Sequence, residues 1–110
     1  MVKWVLFVRR KQGLTIEEFR DHYENVHAPL AKRLLPIRRY ERNYLLPTPL
    51  MPDPPYDVVT EFWFDSAEDA QAARDWYAAD ETQTLQRDEA AFMDRDSMIM
   101  YDAEERASPV

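Results

Sequence analysis

The chain has 110 residues, a formal net charge of −7 and no cysteine. Its length is typical of one domain, and a composition with 45% hydrophobic and 32% charged residues is typical of a globular protein. The acidic balance and the scattered Lys and Arg residues argue against nucleic-acid and membrane-surface partners. Without cysteine the chain has no disulfide, thiol nucleophile or thiolate metal site. The longest apolar run covers only residues 4–8, so we expect a soluble cytoplasmic protein with no membrane span.

The first predicted element is a strand, because residues 2–8 are apolar except for Lys3. A strand with apolar side chains on both faces is expected near the centre of a sheet. Gly13, the only glycine, is placed for the turn after this strand. Thr15 and Glu18 then have the spacing of a capping box, which predicts the start of a helix.

A helix is predicted next, over the stretch that contains both histidines, His22 and His27. Apolar side chains recur here at the helical spacings of three and four: Ile16, Phe19, Tyr23, Val26 and Leu30. Because a proline disfavours helical geometry in the residue before it, Pro29 predicts that this helix ends or kinks near His27. Proline also suits the first turn of a helix, so a second short helix is predicted over residues 29–35.

The middle of the chain predicts two strands joined by a stiff loop. The second strand is predicted over residues 37–46, and the next nine residues, PTPLMPDPP, are rich in proline. Such a segment fits neither helix nor sheet, so an extended loop is expected. Residues 56–65 alternate well and predict a third strand, with these side chains on one face: Tyr56, Val58, Thr60, Phe62 and Phe64.

The last third of the chain predicts helix and then strand. Ser66 is expected to cap a helix that ends near Ala79, and a further helical piece carries Leu85 and Phe92 in register. A short last strand is predicted over residues 98–101. The order β-α-β-β-α-β is that of a ferredoxin-like α+β fold. We assign residues 1–102 to this domain and residues 103–110 to a flexible tail.

Both faces of the predicted sheet are apolar, whereas the helices cover only one of them. In the first strand, Trp4, Leu6 and Val8 alternate with Val5 and Phe7. An apolar sheet face left in water favours pairing with a second copy of the chain. We therefore expect a homodimer in which two sheets pack face to face.

Four stretches carry a resemblance to a known family: GLTIEEFRDHYENVHAPLA, RRYERNYLL, YDVVTEFWFDSAEDAQAA and RDEAAFMD. Together they resemble the EthD family of dimeric α+β barrel proteins, over residues 2–101. The more specific parts are the helix motif around His27 and the third-strand motif around Glu61. The family usually has an aromatic pair where this chain has His22 and Tyr23. The resemblance implies the barrel fold and a dimer formed through the sheet.

Two kinds of function are implied by the resemblance. The wider superfamily includes cofactor-free monooxygenases, dehydratases, cyclases and lactone isomerases that act on aromatic or polyketide-like compounds. Other members have no known activity, so the alternative is a non-catalytic dimeric module that binds a small molecule or serves as an accessory protein. The sequence has no glycine-rich phosphate loop, GxSxG elbow or dinucleotide fingerprint, and we expect no cofactor. Haem, which some relatives of this barrel use, stays a minor alternative.

His27 is the first candidate for a catalytic group, as a general acid or base on a small-molecule substrate. The alternative is a histidine that hydrogen-bonds the free carbonyls at a helix end. Five residues of an α-helix turn through about 500°, which places His22 about 140° around the helix from His27. The two histidines are therefore not expected to share a metal ion, and no metal site is predicted. We expect His22 to be partly exposed, with substrate contact as its possible role.

Glu61 and Tyr40 are predicted to assist in catalysis. A carboxylate in the middle of a central strand must be paired or protonated. Glu61 would thus be a base or an orienting partner of His27, or else a structural partner of Arg or Tyr or a dimer contact. The hydroxyl of Tyr40 would donate to a substrate carbonyl or enolate, or else simply pack. Further aromatic side chains are predicted to line the core and the substrate pocket: Phe19, Tyr23, Trp76, Tyr77 and Phe92.

Overall fold

Four strands and four α-helices make up the computed structural model, which describes all 110 residues. The strands are β1 (Val2–Arg10), β2 (Arg39–Tyr44), β3 (Val58–Phe64) and β4 (Met93–Ala103). The helices are α1 (Ile16–His22), α2 (Ala28–Leu34), α3 (Ala67–Ala79) and α4 (Thr84–Phe92), and a π-helical turn, Tyr23–His27, joins α1 to α2. No helix is long and apolar enough to cross a membrane.

The four strands form one antiparallel sheet in the order β2-β3-β1-β4. This order and the sequence of elements confirm the ferredoxin-like α+β fold. β1 lies between β3 and β4, as its apolar character predicted. In the middle of the sheet, Leu6 of β1 lies opposite Thr60 of β3 on one side and Met100 of β4 on the other.

The predicted local signals for the turn and the helix starts are confirmed. Gly13 has a φ of +95°, a conformation that favours glycine. The Thr15 hydroxyl accepts a hydrogen bond from the Glu18 N–H, and the Glu18 carboxylate accepts one from the Thr15 N–H. The Ser66 hydroxyl caps α3 by accepting a hydrogen bond from the Asp69 N–H.

The last strand is longer than the sequence predicted, because β4 begins at Met93 instead of residue 98. The pairing of β1 with β4 shifts register between Phe7 and Arg9. At this irregularity the Ser97 hydroxyl accepts the Arg9 N–H at 2.8 Å, in place of a strand partner. The first part of β4 is polar and shows no alternation of apolar residues, so the pattern did not predict it as a strand.

The helices cover one face of the sheet and bury the core against it. One cluster of buried side chains packs around α1, the π-helical turn and the end of α4: Val8, Phe19, Tyr23, Ala28, Val58, Phe92 and Met93. A second cluster packs beneath α3: Trp4, Leu6, Phe62, Phe64, Ala70 and Ala73. Both clusters contain the side chains that the alternation of β1 and β3 placed on one face.

The other face of the sheet, which we call the open face, is not covered by any helix. Trp63 is buried on it beneath the cationic groups of Lys3 and Arg39, which lie 4.7 and 4.5 Å from the ring centre. Apolar side chains continue across this face, where Phe7 of β1 lies opposite Ile99 of β4. Ile99 is 38% exposed, so the open face presents apolar surface to solvent.

Candidate functional site

A cavity of about 260 Å³ lies between the sheet and the helices. Its volume is near the lower end of the range for ligand pockets, about 300–1,000 Å³. Trp4, Leu6 and Phe62 line it from the sheet, whereas Leu35 and Leu85 line it from the helical layer. Such a lining favours a small and largely apolar ligand.

Three side chains with a charge or a titrating ring interrupt this apolar lining: His27, Arg74 and Glu89. Each comes from a different helical segment, since His27 ends the π-helical turn, Arg74 lies on α3 and Glu89 on α4. Two tyrosines, Tyr23 and Tyr77, also line the cavity. The polar chemistry of the cavity is therefore concentrated on the helical side.

His22 and His27 bind the same carboxylate, that of Asp88. The Nε2 atom of His22 lies 2.9 Å from Oδ1 of Asp88, and the Nδ1 atom of His27 lies 2.8 Å from Oδ2. The prediction that the two histidines lie on different helix faces is therefore wrong. It assumed α-helical geometry, whereas residues 23–27 form a π-helical turn in which residues five apart come close together.

Pro29 changes the type of helix instead of ending it. The Ala28 N–H donates to the carbonyl of Tyr23, five residues back, and Ala28 keeps helical dihedral angles (φ −62°, ψ −44°). Pro29 has no N–H for the usual bond to the Asn25 carbonyl, so the α-helical ladder is interrupted here in any case. The wider turn accommodates this gap and brings His27 round to the side of His22.

His27 is a buried histidine with one free ring nitrogen. It is only 4% exposed, and burial lowers its pKa, an effect that the contact with Asp88 opposes. A carboxylate only accepts hydrogen bonds, so the neutral ring carries its proton on Nδ1, toward Asp88. The Nε2 atom then has a free lone pair and no hydrogen-bond partner in the protein, in a side chain that lines the cavity. This arrangement suits a general base whose imidazolium form is stabilised by a carboxylate.

Tyr23 lines the same cavity, and Tyr40 lies one hydrogen bond away from it. The Tyr23 and Thr60 hydroxyls are 2.7 Å apart, and the Tyr40 hydroxyl donates to that of Tyr23 over 3.5 Å. Burial raises the pKa of Tyr23 to about 12, so the phenol stays neutral. Tyr40 stacks on Phe62 at 4.9 Å and is not part of the cavity wall.

Glu61 lies apart from His27, because it points to the open face of the sheet. Its carboxylate forms an ion pair with Lys3 at 3.0 Å. Within one chain the sheet separates it from the cavity, and Asp88 is the carboxylate that orients His27. Lys3 is thus the partner that a carboxylate in the middle of a strand requires.

The predicted aromatic lining is divided between core and cavity. Phe19 and Phe92 are buried in the core cluster beside the histidines, and the His22 ring stacks on Phe92 at 4.5 Å. His22 is partly exposed, as predicted. Trp76 is half-buried on α3 and does not line the cavity. Tyr23 and Tyr77 are the predicted aromatic residues that line the cavity together with His27.

The two acidic residues of the site, Asp88 beside His27 and Glu89 at the cavity wall, were missed in the sequence. The burial of Glu89 could have been predicted from the apolar pattern of α4. Glu89 lies four residues after Leu85 and three before Phe92, so it shares their face of the helix. Glu89 is therefore on the buried side of the helix and is only 7% exposed. Asp88 has no such signal, because its two partners are 61 and 66 residues away in the chain.

No group of three or more His, Asp or Glu side chains is arranged to hold a metal ion. The contacts of the two histidines with Asp88 are hydrogen bonds between a ring nitrogen and a carboxylate oxygen. The site that the geometry describes is therefore a histidine–carboxylate pair at the wall of an apolar cavity.

A single sheet with helices on one face and a cavity between the two layers defines a ferredoxin-like α+β domain. The model of the EthD domain family matches residues 11–96, and the chain belongs to this family. No curated protein sequence is significantly similar to it.

Solved structures with the same fold come from several bacteria. An EthD family protein from Bacillus halodurans has a TM-score of 0.71 at 21% identity, over 96% of this chain and 100% of that one. An EthD-like protein from Ralstonia eutropha also has a TM-score of 0.71 at 21% identity, over 94% and 89% of the two chains. A protein from Bacteroides fragilis, described as dimeric, of unknown function and ferredoxin-like, has a TM-score of 0.61 at 17% identity, over 94% and 95%.

Proposed function

We propose that the protein is a cofactor-independent enzyme that moves a proton on a small, largely apolar substrate of aromatic or polyketide-like type. The observation that carries this proposal is the free Nε2 atom of His27 at the cavity wall, with Nδ1 held by Asp88. Isomerases, dehydratases, cyclases and cofactor-free oxygenases of such substrates share a proton-transfer step of this kind.

His27 is the catalytic base in this mechanism. Its Nε2 atom takes a proton from an activated carbon or an oxygen of the substrate, and the positive charge that forms on the ring is balanced by Asp88. His27 is only 4% exposed, and burial strengthens this electrostatic interaction. Asp88 acts through His27 and is a positioning residue, and His22 holds the second oxygen of the same carboxylate.

Hydrogen–deuterium exchange at the substrate tests the proton transfer directly, whatever the overall reaction is. A panel of aromatic and polyketide-like ketones, with phenylacetone as its smallest member, is incubated with the protein in heavy water. We expect deuterium to enter beside the carbonyl faster than in buffer, and His27→Ala to lose about 10²–10⁴-fold of the excess rate. Asp21→Asn, an exposed change on α1, is the control and should keep the full rate.

The alternative, a non-catalytic binding module, is supported by the apolar character of most of the cavity lining. The same experiment separates the two functions. If the protein binds ketones of the panel but does not exchange their protons faster than buffer does, it is a non-catalytic binding module. Full exchange by His27→Ala would remove His27 from the mechanism.

We also propose that two copies of the chain pair through the open face of the sheet. Apolar side chains of β1 and β4, among them Phe7 and Ile99, remain accessible there. Charged side chains such as Lys3 and Glu61 lie on the same face and would supply polar contacts between the copies. The Bacteroides fragilis protein of similar fold is described as dimeric, which supports the pairing of two copies here.

A further inference from the structure

Glu89 is a buried acid that the mechanism above does not use. Its side chain is only 9% exposed, and it lines the cavity together with Tyr77. The Tyr77 hydroxyl donates to Oε1 of Glu89 at 2.6 Å, and the Arg95 guanidinium lies 3.7 Å from the same oxygen. The second oxygen, Oε2, has no hydrogen-bond partner in the protein. One oxygen is thus fixed by its neighbours, and the other is free.

Glu89 and its neighbour Asp88 on α4 point in different directions. Neighbouring residues of an α-helix point about 100° apart. Asp88 therefore faces the two histidines, whereas Glu89 faces Tyr77 and the cavity. A substrate that fills a cavity of about 260 Å³ contacts both His27 and Glu89, since both side chains form its walls.

We propose that Glu89 is a second proton-transfer group of this site, and that the enzyme isomerises a β,γ-unsaturated ketone to its conjugated α,β-unsaturated form. This inference rests on the proposed role of His27 as the base. Three polar side chains at the wall then have three tasks. His27 removes a proton, Glu89 returns one at another carbon, and the Arg74 guanidinium holds the carbonyl oxygen.

The reaction has two proton transfers, one from and one to a carbon of the substrate. His27 Nε2 takes the proton from the carbon between the carbonyl and the double bond, so that a C–H bond breaks and an N–H bond forms. The electron pair spreads over the conjugated system to the carbonyl oxygen, as a dienolate. The Glu89 carboxyl then gives its proton to the far carbon of the former double bond, and a new C–H bond forms. Water returns a proton to Glu89 and removes the one on His27, so the net reaction is an isomerisation.

The surroundings of Glu89 favour its protonated form more than water does. Burial raises its pKa, and the neighbouring Asp88 adds to this effect, whereas Tyr77 and Arg95 oppose it. The Arg95 side chain beside Glu89 is 45% exposed, so solvent reaches this side of the site. Water from there replaces the proton that Glu89 gives to the substrate. Arg74 keeps unused N–H donors although it pairs with Asp102, because a guanidinium has five of them.

The test uses 3-cyclohexenone, a small β,γ-unsaturated ketone, and follows two signals in heavy water. Ultraviolet absorbance reports the conjugated product, and mass spectrometry reports deuterium at the carbon beside the carbonyl. We expect Glu89→Gln to lose about 10²–10⁴-fold in isomerisation while it keeps the exchange that depends on His27. Glutamine has the same shape and still accepts from Tyr77, so the fold should be kept, which circular dichroism checks. Glu81→Gln, an exposed change in the loop before α4, is the matched control.

Each result has a distinct meaning. Normal isomerisation by Glu89→Gln, or an equal loss of isomerisation and exchange, would overturn the role of Glu89 and leave that of His27 in place. If the wild-type protein catalyses neither signal, the proposed base and the second acid both fail for this class of ketone. If Glu89→Gln unfolds, Tyr77→Phe is the second variant. It removes the hydrogen bond that holds the Glu89 carboxyl in position, so isomerisation should slow more than exchange.

Discussion

Asp88 and His27 are joined by a 2.8 Å hydrogen bond between Oδ2 and Nδ1, across 61 residues of sequence. This bond fixes the ring orientation and leaves Nε2 as the free nitrogen. It also connects α4 to the π-helical turn, so the packing of two helices determines the chemical state of the histidine. The consequences of this relationship can be measured whatever the natural substrate is.

The first prediction concerns Asp88→Asn, which keeps the shape of the side chain and removes its charge. Asp88 raises the pKa of His27 against the effect of burial, so the pKa of His27 should fall further in this variant. The protonated ring is no longer balanced, and proton exchange at panel ketones should slow by about 10²–10⁴-fold. An NMR titration of the two histidine rings measures the pKa, and Asp21→Asn is the matched control. An unchanged pKa of His27 would contradict the role of Asp88.

The fold was predictable from the sequence because its signals are local. Alternation in β3 placed Thr60 and Phe62 on one face and Glu61 on the other, and the caps at Thr15 and Ser66 marked two helix starts. These patterns depend only on residues a few positions apart, so they can be interpreted without knowledge of the tertiary contacts.

The site was less predictable, because it depends on contacts that are distant in sequence. His27 was recognised, but its partner Asp88 is brought to it by the packing of α4 on the π-helical turn. The alternation of β3 placed Glu61 and Thr60 on opposite faces of the sheet. It did not predict which face the helices cover, because both faces are apolar. The π-helical turn itself has no clear signal besides Pro29, and it reversed the predicted relation of His22 to His27.

The second prediction is that His27 makes the stability of the protein depend on pH. Burial lowers the pKa of His27 below 6.5, and the electrostatic effect of His22 acts in the same direction, whereas Asp88 opposes both. The unfolded chain therefore binds this proton at a higher pH than the folded chain. The contribution to the free energy of unfolding is fully present above pH 6.5 and is lost as the pH falls through 6.5 toward the lower folded value.

Urea denaturation at a series of pH values measures this contribution. His27→Gln should flatten the profile below about pH 7, since the titrating ring is gone. Asp21→Asn, on the exposed side of α1, should leave the slope unchanged. A slope in His27→Gln as steep as in the wild-type protein would assign the effect to another group.

The third prediction concerns the buried hydrogen bond between Tyr23 and Thr60. Both residues are fully buried, and their hydroxyls are 2.7 Å apart. Tyr23→Phe leaves the Thr60 hydroxyl without this partner, so the free energy of unfolding should fall by about 1–3 kcal/mol. Ser108→Ala removes a hydroxyl from an exposed residue beyond the end of β4 and should change stability by less than about 0.5 kcal/mol. Equal effects of the two changes in urea denaturation would count against the buried bond.

The fourth prediction concerns the open face of the sheet and the proposed dimer. Light scattering at micromolar concentration should give a particle of two 13.1 kDa chains. Ile99→Lys places a charge on the open face opposite Phe7, so burial against a second sheet becomes unfavourable and the particle should become a monomer. Leu50→Lys makes the same kind of change in the proline-rich loop, at a residue that is 92% exposed, and should remain dimeric. A monomeric wild-type protein would refute the dimer, and a dimeric Ile99→Lys variant would move the interface away from the open face.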